Sequence, residues 1–138
     1  MAFPQIHNVV LCEEVRQEPR GLSTLLGFYG VLPNVEVIVR DFTQPARLGF
    51  LFLGGPGDGQ FQIRTRIRSS QGQEVMATPD LNLTIPPGPR VNIALQLLPG
   101  PVLPGADTYQ VELLVGGGLV YTSTFLVRQA GPGELPPH

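Results

Sequence analysis

The side chains able to do acid–base or nucleophilic work are few. Histidine occurs twice, at His7 and His138, and cysteine once, at Cys12. A nucleophilic Ser, Cys or Thr needs a base within hydrogen-bond reach. His7 and Cys12 stand five residues apart in a stretch with strand character. An odd separation on a regular strand puts two side chains on opposite faces, so the pair forms no dyad. Cys12 reads as a small buried hydrophobe. A metal site needs His, Cys, Asp or Glu clustered at ligand spacing. Glu13 and Glu14 are adjacent and point to opposite sides of a strand, and Asp58 sits alone among glycines. The expectation is a protein that is not an enzyme, with no cofactor and no metal. A hydrolase of unfamiliar type is the disfavoured alternative.

Two further stretches carry candidate binding chemistry. In Phe61 to Arg68, Phe61, Ile63, Thr65 and Ile67 alternate with Gln62, Arg64, Arg66 and Arg68. Three guanidinium groups on one sheet face suit a carboxylate, a phosphate or an acidic protein partner. The competing reading is a solvated face, with the arginines paired to Glu74 or Glu112. The second stretch is Leu48-Gly-Phe-Leu-Phe-Leu53, which with Phe28, Tyr29, Val31 and Leu32 supplies more apolar surface than a one-sided sheet requires. Phe50 and Phe52 either close the sandwich or form an exposed patch for a protein partner or for self-association. The loop Gly54-Gly-Pro-Gly-Asp-Gly59 has spaced glycines but no following lysine and no helix to offer amide groups to a phosphate. It reads as a hairpin loop.

Composition narrows the classes. The chain has 138 residues, a net charge of −2 and only 14% charged residues, and all nine basic residues are arginine. Without lysine there is no Schiff-base chemistry and no P-loop. Without an excess of positive charge there is little to hold a phosphate backbone, so no nucleic-acid partner is expected. No stretch approaches the ~20 apolar residues of a membrane helix. The opening residues show no basic, then apolar, leader pattern, and one cysteine allows no intrachain disulfide. Asn82-Leu83-Thr84 fits the glycosylation triplet, a coincidence if the protein is cytoplasmic, as expected.

Strands must position all of this. The C-terminal segment alternates Tyr109, Val111, Leu113 and Val115 with Gln110, Glu112 and Leu114, turns at Gly116-Gly-Gly118, and returns through Leu119, Tyr121, Phe125 and Val127. Earlier candidates are Ile6 to Val15, Leu22 to Tyr29, Val35 to Arg40, the ambiguous Leu48 to Leu53, Phe61 to Arg68, Gln73 to Ala77, Leu81 to Ile85 and Val91 to Leu97. Fifteen prolines and seventeen glycines break the chain between them. Eight or nine short strands with little helix predict an all-β, two-layer antiparallel sandwich, immunoglobulin-like in character, over residues 1–129. Residues 130–138, rich in Pro and Gly, read as a flexible tail.

Leu11-Cys-Glu-Glu-Val-Arg-Gln-Glu18 followed by Gly21-Leu-Ser-Thr-Leu-Leu-Gly-Phe-Tyr29 resembles the opening of a bacterial family of small sandwich proteins, a domain of unknown function. Its members open with an apolar residue, a cysteine, an acidic residue and a nearby arginine. The hairpin from Pro104 to Val127 is similar to that family's closing pattern. The likeness leaves out 45–59 and the tail. It implies the fold and no activity. A non-catalytic interaction or structural module is therefore the leading expectation, and a small-ligand-binding sandwich the alternative.

Overall fold

The computed structural model describes residues 3–19 and 22–134. Ten strands follow in chain order: β1 (Ile6–Gln17), β2 (Ser23–Val31), β3 (Glu36–Val39), β4 (Gly49–Gly54), β5 (Gly59–Arg68), β6 (Glu74–Ala77), β7 (Leu81–Ile85), β8 (Val91–Gln96), β9 (Asp107–Val115) and β10 (Gly118–Gln129). They form two packed sheets, a two-layer all-β sandwich. One has four strands in the order β2-β1-β4-β8; the other runs β3-β10-β9-β5, with β6 and β7 both laid along the outer side of the ten-residue β5. β6 pairs with its Arg66–Arg68 end and β7 with its Gly59–Ile63 end. Among the described residues there is no α-helix, and hence none long and apolar enough to cross a membrane.

Alternation does most of the building. Val9 and Leu11 of β1, Phe50 and Phe52 of β4, and Ile93 of β8 turn inward to meet Ile63, Ile67, Val111, Leu113 and Val127 of the opposite sheet. A run of aromatic rings bridges the two layers. Tyr109 stacks on Phe125 at 6.0 Å, Phe125 meets Phe50 edge-on at 6.4 Å, and Phe52 meets Tyr121 at 6.1 Å. Such offset and edge-on pairs are favourable beyond the area they bury. The Tyr109 hydroxyl donates to the Gly105 carbonyl at 2.6 Å, so this enclosed ring leaves no polar atom unpaired. A tyrosine bonded back to backbone a few residues upstream is the corner motif of immunoglobulin-like sandwiches.

One open reading is decided and two expectations are corrected. Leu48–Leu53, left open between a strand and a flap, lies along β4, a central strand between β1 and β8 whose Phe50 and Phe52 enter the interior while Leu51 joins Val10 on the outer side. The row on β10 does not begin at Leu119. The register shifts between Leu119 and Tyr121, so Leu119 pairs with Leu114 and lies half-exposed with Val120. One extra residue in a strand reverses every side chain on one side of it. The sheets are also not wholly antiparallel, since β3 runs parallel to β10 along Leu126–Gln129.

The end of the described chain is fixed by charge. The Arg128 guanidinium makes a two-pronged bond to Glu134, at 2.7 and 2.6 Å, and its Nε reaches Glu36 on β3 at 2.9 Å. Glu134 also accepts from the Gly131 amide at 2.8 Å. Gly131 to Glu134 thus fold back on β10, while 135–138 of the expected tail lie outside the described residues. These bonds, Arg128 first, hold the Glu134 carboxyl down from its ordinary 4.5 to about 2. An acid with a depressed folded pKa favours the folded arrangement above its ordinary pKa and loses that contribution as pH falls through the folded value. In an NMR titration the Gly131 amide should therefore hold its position from neutral pH through the ordinary carboxylate range and move with a midpoint near 2. Arg128→Gln should raise the Glu134 midpoint toward ordinary values, the Gly131 amide still holding it somewhat down.

Candidate interaction surface

The arginine row lies on the outward face of the six-stranded sheet. Its register sets Arg66 opposite Glu112 and Arg68 opposite Gln110. Glu112 is buried, and its Oε1 accepts from Arg66 Nε at 2.7 Å and Arg68 Nε at 2.9 Å. Two of the three guanidinium groups are therefore engaged within the sheet. Arg64 stands opposite Leu114 and makes no ion pair among the described residues. Beyond Glu112 the face continues through Thr122 and Thr124, with Gln110 Nε2 donating to Thr122 Oγ1 at 2.8 Å. It is a polar, self-satisfied surface.

Phe50 and Phe52 are at 0% exposure, inside the sandwich. The expected exposed patch does not include them, because the inward alternation of β4 takes both rings into the core. The apolar surplus appears instead on the outward face of the four-stranded sheet. Cross-strand neighbours there run Val31, Val10, Leu51, Ala94 in one row and Phe28, Cys12, Gly49, Gln96 in the next. Val10, Cys12, Val15 and Leu51 form a second apolar cluster, with Leu25, Leu53 and Ala94 packed against it. On β2, the edge strand, Phe28 is 62% exposed and Val31 41%, while Leu25, opposite Val15, packs on the cluster and its neighbour Leu26 points to the other side. Phe28 and Val31 belonged to the apolar stretch singled out in the sequence.

At one end of this face, acidic and basic groups converge. Glu13 and Glu14, expected to point apart on β1, converge on Arg47, Glu13 to Nη1 at 3.4 Å and Glu14 to Nη2 at 3.2 Å. Glu14 also pairs with Arg16. The long fork of Arg47 spans the place where β1 and β4 part, beyond the last pair, Cys12 with Gly49. Glu13 fits because Gly27 (φ +65°) has no side chain: its carboxylate occupies the space a Cβ would need. Beside it a cleft of about 640 Å³ is lined by Tyr29, Arg40, Asp41, Gln44 and Arg47.

None of these groups is activated for covalent chemistry. Burial pushes the Cys12 thiol up to about 11, and its Sγ donates to the carbonyls of Glu14 and Gly49. A thiol that stays protonated is a poor nucleophile. His7 donates from Nε2 to the Gly55 carbonyl at 3.3 Å and is not directed at Cys12. Burial, and then the Glu13 charge, push the Tyr29 hydroxyl well above its ordinary pKa, so it remains a donor, set toward the Arg47 carbonyl at 3.4 Å. Among the described residues no three His, Cys, Asp or Glu side chains group as metal ligands would. His138 lies outside the described residues.

No protein-family model matches the chain, and no characterised protein matches it in sequence.

Proposed function

We propose that the protein is a non-catalytic interaction module that docks another protein chain on the outward face of its four-stranded sheet, with Phe28 and Val31 at the contact. The observation that supports this reading is the difference between the two outward faces. One carries Arg64, Arg66, Arg68, Glu112, Gln110, Thr122 and Thr124, broken by Leu114 and Leu126; the other carries Val10, Cys12 and Leu51, themselves buried, with Phe28 and Val31 exposed at its β2 edge and Asn92 and Gln96 at its β8 edge. A sheet face needs polar residues only where it meets water. Burying a large side chain such as Phe28 against a partner contributes roughly 1.5–3 kcal/mol, enough for two or three such residues to govern affinity. A cytoplasmic setting suits a lone buried thiol with no disulfide partner. The likeness to the bacterial sandwich family adds the fold and assigns no activity.

The test is retention of proteins from an extract of the native host on immobilised wild type and on the Phe28→Ser/Val31→Ser variant. The variant should lose the retained proteins while its melting temperature stays within a few degrees, since both residues are already exposed. Identical retention by both would remove the reading. A second reading, a small-ligand binder, rests on the cleft beside Arg47, where two arginines and the Tyr29 hydroxyl stand among aliphatic walls.

A further inference from the structure

We infer that a depression at the end of the four-stranded sheet, between His7 and Arg90, binds the phosphate group of a small phosphorylated molecule. Such a site needs no partner chain and stands apart from the interaction reading above.

The depression has a volume of about 400 Å³, and its walls include His7, Asn8, Leu53, Pro89, Arg90 and Asn92. Three strands and a bulge bring them together. Asn8, Leu53 and Asn92 are cross-strand neighbours on β1, β4 and β8, two residues beyond the row of Val10, Leu51 and Ala94. Ile6 pairs with Gly54 and Asn8 with Leu53, so His7 is an extra residue in β1. Regular alternation would turn His7 away from Asn8; the bulge re-aims it, and both line one site. Gly55 (φ +128°) joins the two sides. Its carbonyl accepts from His7 Nε2 at 3.3 Å. A Cβ on it would stand 2.8 Å from the Pro89 carbonyl oxygen and 2.9 Å from Arg90 Cα, so any side chain there would push Arg90 away from His7.

The chemistry of the walls selects an anion. No acid is among the lining residues. Arg90 makes no ion pair among the described residues. The side chains of Asn8 and Asn92 are exposed beside it. The contrast is with Arg47, whose two terminal nitrogens already reach Glu13 and Glu14. A guanidinium fork and two carboxamide groups offer several N–H donors without a fixed negative charge. Bonds from a guanidinium to an ionised oxygen are among the strongest hydrogen bonds a protein makes. The three terminal oxygens of a phosphate monoester can meet the arginine and both amides at once, whereas a carboxylate has only two. Leu53 and Pro89 offer apolar surface to the carbon skeleton beyond the phosphate, and the volume suits a small molecule.

NMR titration of the isotope-labelled protein at constant ionic strength tests this, with inorganic phosphate, phenyl phosphate and acetate as probes. The Arg90 Nε–H and the side-chain amides of Asn8 and Asn92 are followed. Inorganic phosphate should move these signals saturably, with a Kd on the order of 1 mM. Phenyl phosphate should bind roughly threefold tighter, because its ring meets Leu53 and Pro89, and acetate roughly tenfold more weakly. Arg90→Gln should weaken phosphate binding about tenfold. Arg64→Gln, on the other sheet, and Phe28→Ser/Val31→Ser should leave it unchanged. If Arg90→Gln proves unfolded by circular dichroism, Asn92→Asp sets a negative charge in the site and should abolish binding instead. Signals that do not move up to about 20 mM phosphate, binding untouched by these substitutions at the site, or acetate as tight as phosphate would overturn the inference. Inorganic phosphate as tight as phenyl phosphate would assign the site to the free anion and overturn the monoester.

Discussion

Gln96→Leu should lower stability by about 3 kcal/mol and the melting temperature by about 10 °C, a large effect for one partly buried polar residue. Beyond the pair Cys12 with Gly49, β1 and β4 separate and no longer satisfy each other's backbone. The Gln96 amide fills that gap. Its oxygen accepts from Val15 N at 2.8 Å, and its nitrogen donates to the carbonyls of Glu13 at 3.0 Å and Leu48 at 3.1 Å. Gly49 lets the side chain cross, since a Cβ there would stand 2.7 Å from Gln96 Oε1. A leucine of similar bulk leaves the Val15 amide and the Glu13 carbonyl without these partners. Each buried polar group so deprived costs roughly 1–3 kcal/mol. The lower part of that range applies, because the site is partly open to water and the Leu48 carbonyl keeps its bond from Leu97 N at 3.0 Å. Thermal unfolding of wild type and variant checks the figure. Gln96→Glu provides a signed control. The introduced carboxyl can donate to a carbonyl only while protonated, so its folded pKa is raised. Its stability should be greatest below the ordinary carboxyl pKa and fall as pH rises through the raised value. A shift below 3 °C for the leucine variant would mean that water replaces the amide without loss.

The two layers were legible because alternation survives reading residue by residue: Ile63 and Ile67, or Tyr109, Val111 and Leu113, can face only one interior. Leu119 broke the pattern because a bulge is a backbone event with no required residue type. Which outward face would stay apolar was not legible, since Val10 beside Val9 looks the same whether or not something covers it. Gln96 was hidden for a related reason. On β8 it occupies an outward position where any polar residue is acceptable, and its role depends on a parting of strands more than eighty residues earlier in the chain. The only hint was Gly49 inside an otherwise apolar run, a residue that marks close approach by another chain segment. The sequence offered Glu74 and Glu112 as partners of the arginine row, and choosing Glu112 for Arg66 and Arg68 needed the β5–β9 register.

That pairing changes what a test of the arginine row can mean. Replacing Arg64 and Arg66 together would strike at stability as well as at any partner, because Arg66 is bonded to a buried carboxylate. The informative substitution is Glu112→Leu, expected to cost about 2–3 kcal/mol. Breaking a fully buried ion pair costs 3–5 kcal/mol, but the Arg66 and Arg68 side chains are 24% and 34% exposed, so water recovers part of the loss. What remains is two neighbouring guanidinium groups without an acceptor between them. Added salt should then stabilise the leucine variant more than wild type, since it screens a repulsion that wild type lacks. Removing one of the stranded charges as well, in Glu112→Leu/Arg66→Leu, should regain about 1 kcal/mol over the single variant. Arg64→Gln should change stability by less than about 0.5 kcal/mol, as expected for an exposed residue outside the network. Denaturant unfolding of the four proteins separates these outcomes. A Glu112→Leu variant as stable as wild type would show that the carboxylate merely fills space between the arginines, and would return all three guanidinium groups to the list of surfaces free to meet a partner.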